Sequence, residues 1–318
     1  MCRKRKRTLA RLMRLEATMI RLLLFEFEDT LIDNSGKVFP HVIEAFKVMK
    51  GFETEHGKAP AMCLVSVAPS SESPNPNEAF DQLVSRLEML GLRSFFEPVS
   101  QGVTLLAHAG GKGIDRHLLE IAVSRSNTDT APDQCVFLTG DHDAARSATD
   151  SGFKTLVFGY DGAETDFADW AVAPLLVAKM LDSNGMKNVE AALGLYLVAS
   201  ENMDLVSLTT STDPDTLLGK VSAWHAITSE KLRNLSGVNV KLPAEIRVQL
   251  DPSGKVKTVD RAEPAPTDKE EAAHFVESLV THGQIASESE VPPRGATHQI
   301  NTDSEGRRYL VRKRFTAV

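Results

Sequence analysis

The sequence predicts an α/β protein: a three-layer Rossmann-like parallel sheet followed by a smaller α+β module. Three observations point there. Near-continuous apolar runs alternate with helix-like segments from residue 21 to 181, as strands buried on both faces do when helices cross over between them. Proline and asparagine stand where helices should begin. Beyond residue 181 the alternation gives way to polar/apolar alternating segments joined by short turns, the pattern of hairpins.

The elements follow in order. Strands are expected at 21–27, 60–66, 134–139 and 154–158, and helices at 40–56, 76–91, 113–125, 142–151 and 171–181. Pro40 and Pro76 suit first helical turns, and Asn75 suits a cap. Residues 186–199 and 214–233 look helical. Glu245 to Leu250 alternates, Asp251-Pro252-Ser253-Gly254 makes a turn, and Lys255 to Val259 returns as a partner strand. An amphipathic helix is expected at 268–282, capped by Thr267. A second hairpin spans His298 to Asn301, turns at Asp303 to Gly306 and returns from Tyr309 to Phe315. The division is therefore a basic extension over 1–18, a sheet domain over 19–181, a helical connector over 182–235 and a hairpin–helix–hairpin module over 236–318.

Composition excludes several classes. Hydrophobic residues make up 42% and charged residues 25%, ordinary values for a globular chain. No apolar run is long enough for a membrane helix. Three cysteines lack metal-ligand spacing, and Cys63 and Cys135 sit in apolar strands, so a reducing cytoplasm is expected. The net charge of −7 hides an asymmetry: residues 1–18 carry seven Lys/Arg against one Glu, leaving −13 for the rest. An acidic body argues against broad nucleic-acid binding. The basic segment reads as a disordered extension, or as sequence ahead of a start at Met19.

Chemistry concentrates at the end of the first strand. Leu22-Leu23-Leu24-Phe25 runs into Glu26-Phe27-Glu28-Asp29-Thr30. Two carboxylates at i and i+2, followed by a threonine where the chain leaves the sheet, can face one phosphate-sized space. Met62-Cys63-Leu64-Val65-Ser66 ends the second strand on a hydroxyl. Lys112 precedes a helical run, and Val136-Phe137-Leu138-Thr139-Gly140-Asp141 ends a later strand on an acid. In this order, over about Met19 to Leu181, the chain resembles the haloacid dehalogenase superfamily. The resemblance implies a phosphotransferase fold. Glu26 falls at the nucleophile and magnesium ligand and Glu28 at the general acid/base and metal side. Thr30 and Ser66 fall on the phosphate, Lys112 on charge neutralisation, and Asp141 on magnesium.

The chain departs from that pattern. Both first-motif positions are Glu where the family has Asp. The extra methylene moves each carboxylate by on the order of 1.5 Å, and ~1 Å of misplacement can cost about a hundredfold in rate. Ala145 stands where a second metal-binding acid is usual, with Asp143 the nearest substitute. Magnesium demands near-octahedral geometry and tolerates such changes poorly. The expectation is a phosphohydrolase-fold protein with an impaired site, acting by binding a phosphorylated small molecule or protein. One alternative is an active Mg2+-dependent phosphatase using Glu26. A second is a nucleic-acid-associated protein using the basic termini, of which Arg307, Arg308, Arg312, Lys313 and Arg314 form the C-terminal part. A phosphate loop at Gly110-Gly111-Lys112 is excluded by Leu106 and Gly113. Neither the interval after the first motif nor that after Ser66 has room for a large cap domain, so the C-terminal module is left to cover the site or to mediate self-association.

Overall fold

Leu22, Leu23, Leu24 and Phe25 have no exposed surface, because the strand they form lies in the middle of a parallel sheet. The computed structural model describes residues 20–54, 59–68, 76–107, 113–126, 128–159, 165–181, 186–213, 215–227, 237–286, 295–304 and 306–312. The expected 1–18 extension, the Asn75 cap, Lys112 and the expected strand end at 313–315 lie outside them. Two compact units divide the chain: residues 1–199 with 253–255, and residues 200–252 with 256–318.

The first unit holds β1 (Leu22–Glu26), β2 (Ala61–Ala68), β3 (Val103–Ala107), β4 (Cys135–Thr139) and β5 (Lys154–Val157), ordered β3-β2-β1-β4-β5. All pairings are parallel. Strand order reverses beside β1, which places the crevice for a ligand beyond the carboxyl ends of β1 and β4. The helices are α1 (Val42–Lys50), α2 (Pro76–Met89), α3 (Arg116–Arg125), α4 (His142–Asp150), α5 (Ala173–Met180) and α6 (Met186–Glu201). Strand β3 is an addition to the sequence reading. Its short Val-Thr-Leu-Leu-Ala run leads into a glycine-rich stretch that reads as loop.

Each sheet face has its own cover. Leu22, Leu24, Cys63, Val65, Cys135 and Phe137 pack with Ile114 and with residues of α3 and α4. The opposite face is aromatic. Phe25 meets Phe46 of α1 at 4.7 Å, Phe96 at 6.2 Å and Trp170 at 6.3 Å between ring centroids. Tilted and edge-on rings at such spacings add attraction beyond area burial. The cap of α3 is local: Asp115 accepts the Leu118 N–H at 3.1 Å.

The second unit corrects the reading of 182–235 as a helical connector. Helix α6 accounts for its start, but β6 (Met203–Thr210) and β7 (Thr216–Ala226) follow. Residues 214–233, expected as helix, instead supply β7, which pairs along its whole length with β8 (Asn239–Leu250). Long-range pairing outweighs the helix-like spacing of Leu217, Leu218, Val221 and Trp224. In β8, Leu242, Ala244, Ile246, Val248 and Leu250 are buried while the residues between them are exposed, the period-2 pattern of a sheet wet on one face.

Strand β9 (Val256–Arg261) pairs antiparallel with β8 as the alternation and turn predict. Helix α7 (Pro266–Thr281) begins one residue before the expected Thr267 cap. Ala265 takes the cap position without a side-chain bond, and Pro266 at the helix start needs no N–H partner. Strands β10 (Ile285–Ala286), β11 (His298–Thr302) and β12 (Arg308–Arg312) complete a seven-stranded mixed sheet, ordered β10-β11-β12-β8-β7-β6 with β9 beside β8. Both hairpins therefore share one sheet. Val276 of α7 packs with Ile227, Val240, Ile285 and Leu310. Along one edge β8 meets β12 at Asn239 and β9 from Ile246 onward. Pro243, which has no N–H to donate, falls in the gap between them.

The aromatic layer should dominate the stability of the first unit. Phe46→Ala is expected to cost about 3–5 kcal/mol. Met89→Ala, at a side chain 80% exposed, should stay within about 0.5 kcal/mol. Urea unfolding checks both, and equal losses would contradict the packing.

Candidate functional site

The carboxyl ends of β1, β2 and β4 bring most of the sequence-predicted residues together. Glu26 ends β1. Its Oε2 accepts the Thr30 hydroxyl at 3.2 Å and a second hydrogen bond from the Thr139 hydroxyl. Both threonines are fully buried. Each hydroxyl also accepts a backbone N–H: Gly140 N donates to Thr30 Oγ1 at 2.6 Å and Asp141 N to Thr139 Oγ1 at 2.9 Å. One hydroxyl thus links Glu26 to residue 141.

Backbone geometry explains the neighbouring residue types. Asp29 has φ 54°, in the left-handed region, where Asp is among the tolerated non-glycine residues. A Cβ on Gly140 would stand 2.4 Å from the Asp29 carbonyl oxygen, so only glycine fits. Behind the turn, Trp170 Nε1 donates to the Thr30 carbonyl at 3.0 Å, tying the site to the aromatic layer.

Glu28 takes a separate set of partners. Ser66 Oγ donates to its Oε2 at 3.0 Å, and Arg86 Nη1 of α2 lies 3.9 Å from its Oε1. The Arg86 guanidinium also stands 5.1 Å from the centre of the Phe27 ring, within cation–π range. Asp141 caps α4, its Oδ1 accepting the Asp143 and Ala144 N–H groups at 2.8 and 3.2 Å. The Asp143 side chain turns elsewhere: it is 87% exposed and meets Arg146 at 3.3 Å. Lys112 lies outside the described residues. The following Gly113 is close enough to Asp141 that an added Cβ would stand 3.4 Å from Oδ2. His142 is exposed at the start of α4.

Thr139 and Arg86 are site residues that the sequence reading does not single out. For Thr139 a usable signal exists, its position just before Gly-Asp at a strand end. Arg86 carries none, because its reach to the site depends on how α2 packs.

Burial pushes the Glu26 carboxyl up to about 7, the two hydroxyls opposing the rise and the charges of Asp141 and Glu28 adding to it. Glu28 is also raised by burial, against the Ser66 hydrogen bond and the Arg86 charge. Magnesium is usually held by one or two carboxylates together with waters, in near-octahedral geometry at short range. Glu26 is half-protonated near neutrality and already holds two hydroxyls, one Asp141 oxygen caps a helix, and Asp143 faces solvent. Among the described residues, no group of three or more His, Cys, Asp or Glu is arranged to hold a metal ion. What the arrangement offers is a proton-exchanging carboxyl, a second carboxylate bound by a hydroxyl, and one nearby guanidinium.

No protein-family model and no curated protein matches the chain. The class that fold and site define is an α/β protein with a five-stranded parallel sheet and an acidic, hydroxyl-rich cluster at its carboxyl edge.

The titration of Glu26 should be visible in stability. Its folded pKa of about 7 lies above the ordinary 4.5, so the folded state binds the extra proton between those values. That stabilisation is complete below about pH 4.5 and is lost as pH rises through 7, a total of about 3 kcal/mol. Glu26→Gln keeps an acceptor for both threonines and removes the titration. Denaturant unfolding should find the variant gaining on wild type by about that amount between about pH 4.5 and pH 8. Parallel pH profiles would show that Glu26 ionises freely in the folded protein.

Proposed function

We propose that this is a haloacid-dehalogenase-like protein whose phosphatase site is impaired and which acts by binding a phosphorylated small molecule or protein. The observation that carries the reading is the engagement of Glu26. A nucleophilic carboxylate must be ionised and aimed at phosphorus. Here Oε2 accepts two buried hydroxyls and burial holds the group half-protonated near pH 7. The strand order, with Glu26 and Thr139 at carboxyl ends beside the reversal and Ser66 two residues before the end of β2, supports the family assignment. The chemistry of the donor set supports loss of the magnesium that the family resemblance implies.

The remaining parts of the reading have lesser support. Two buried free thiols, Cys63 and Cys135, both pushed up to about 12 by burial, are in keeping with a reducing, cytoplasmic setting. No helix among the described residues is long and apolar enough to cross a membrane. Self-association through the second unit is part of the proposal, because β6 is an outer strand carrying Val206, 64% exposed. The nucleic-acid reading has less behind it: Arg307 is held by Asp303 at 3.0 Å, and the N-terminal basic run lies outside the described residues.

The active-enzyme alternative is favoured by one observation, a carboxyl titrating near neutrality in a crevice. A panel of phosphomonoesters, assayed with and without magnesium, separates the two. Wild type should show no turnover above background. Glu26→Asp with Glu28→Asp, which withdraws both carboxylates from their hydroxyl partners, should raise it by about tenfold or more. Magnesium-dependent turnover by wild type that Glu26→Gln abolishes would establish the alternative.

A further inference from the structure

We infer that Arg86 completes an anion subsite with Ser66, which the family resemblance already puts on the phosphate, and that the chain's own Glu28 carboxylate occupies it. The inference rests on the binding reading above and adds Arg86 as a second donor and Glu28 as the group that keeps the phosphate out.

Two donors from different elements converge on Glu28. Ser66 Oγ, near the end of β2, donates to Oε2 at 3.0 Å, and Arg86 Nη1, from α2, faces Oε1 at 3.9 Å. A hydroxyl and a guanidinium directed at two oxygens of one anion are the groups that hold a phosphate. Arg86 is positioned for this independently of Glu28. Its guanidinium stacks over Phe27 at 5.1 Å, and Gly36, at φ 78°, leaves it room: a Cβ there would stand 3.1 Å from Nη2.

The occupant owes its place to its length. An aspartate at position 28 would retract the carboxylate by on the order of 1.5 Å, away from both donors. Tethered beside the subsite, Glu28 competes at a high effective concentration with any free anion. Its hold on Arg86 is nevertheless loose. At 3.9 Å with the two side chains 41% and 45% exposed, the guanidinium keeps donors for a better acceptor, and exposed pairs of this kind contribute little. The arrangement is a weakly seated internal competitor, displaced only by an anion with further contacts to the protein.

Calorimetric titration of the full chain with inorganic phosphate and, in parallel, O-phosphoserine tests this, in chelator-treated buffer so that no metal contributes. Wild type should bind weakly. Glu28→Ala should bind phosphate about tenfold tighter, the worth of one charge-assisted hydrogen bond. Arg86→Ala or Ser66→Ala, each placed on the Glu28→Ala background, should remove the gain. Asp29→Asn, which removes a neighbouring charge and keeps a residue tolerant of φ 54°, should leave binding at the wild-type level. An equal gain for both probes assigns the subsite to the anion itself, and a larger gain for O-phosphoserine assigns it to a phosphomonoester. The inference is overturned if Glu28→Ala binds neither probe more tightly, if the gain survives loss of Arg86, or if Asp29→Asn reproduces it. Should Glu28→Ala fail to fold, the isosteric Glu28→Gln must show the same Arg86-dependent gain. Failure of the broader reading would appear elsewhere, as phosphomonoester turnover by wild type.

Discussion

The site depends on one buried hydroxyl. Thr30 Oγ1 takes the Gly140 N–H and gives its own proton to Glu26, so it joins the turn after β1 to the turn after β4. An unmade hydrogen bond at that depth would cost about 1–3 kcal/mol. The close approach of the two turns follows, with glycine forced at 140 because the Asp29 carbonyl fills the space a side chain would need. Thr139 repeats the arrangement one strand over, accepting from Asp141 N and donating to the same Glu26 oxygen. Two hydroxyls converging on a single oxygen fix the Glu26 carboxyl at the end of its strand.

Position along the chain makes the central sheet legible. Strands β1, β2 and β4 announce themselves as near-continuous apolar runs, since burial on both faces removes any need for polar residues. Strand β3 is obscured by its brevity and by the glycine-rich sequence after it. The alternation from Leu242 to Leu250 is equally direct, because one wet face and one dry face write a period of two. Strand β7 defeats the local reading for a physical reason. Leu217, Val221 and Trp224 satisfy a helical spacing as readily as an extended one, and only pairing with β6 and β8 decides between them.

Within the site, residue type and strand-end position mark Glu26, Glu28, Thr30, Ser66 and Asp141. Local sequence does not record which oxygen bonds which donor. Asp143 illustrates the limit: it stands two residues after Asp141, yet α4 turns it toward Arg146 and solvent. Arg86 illustrates the converse. It is far from the motif in sequence, and only the packing of α2 beside Phe27 brings its charge to Glu28.

Trp170 joins this hydroxyl network to the aromatic layer through the Thr30 carbonyl. Its indole is almost fully enclosed and touches the rings of Phe25, Phe46, Phe158 and Phe167. A residue that ties a site to a core answers to the core first. Thr30 and Gly140 are therefore held by the packing of the core as well as by the site, so replacing either would disturb folding whatever the two carboxyls do. The threonine and the glycine thus report an intact hydrophobic layer, and they would stand here with or without chemistry at the carboxyls.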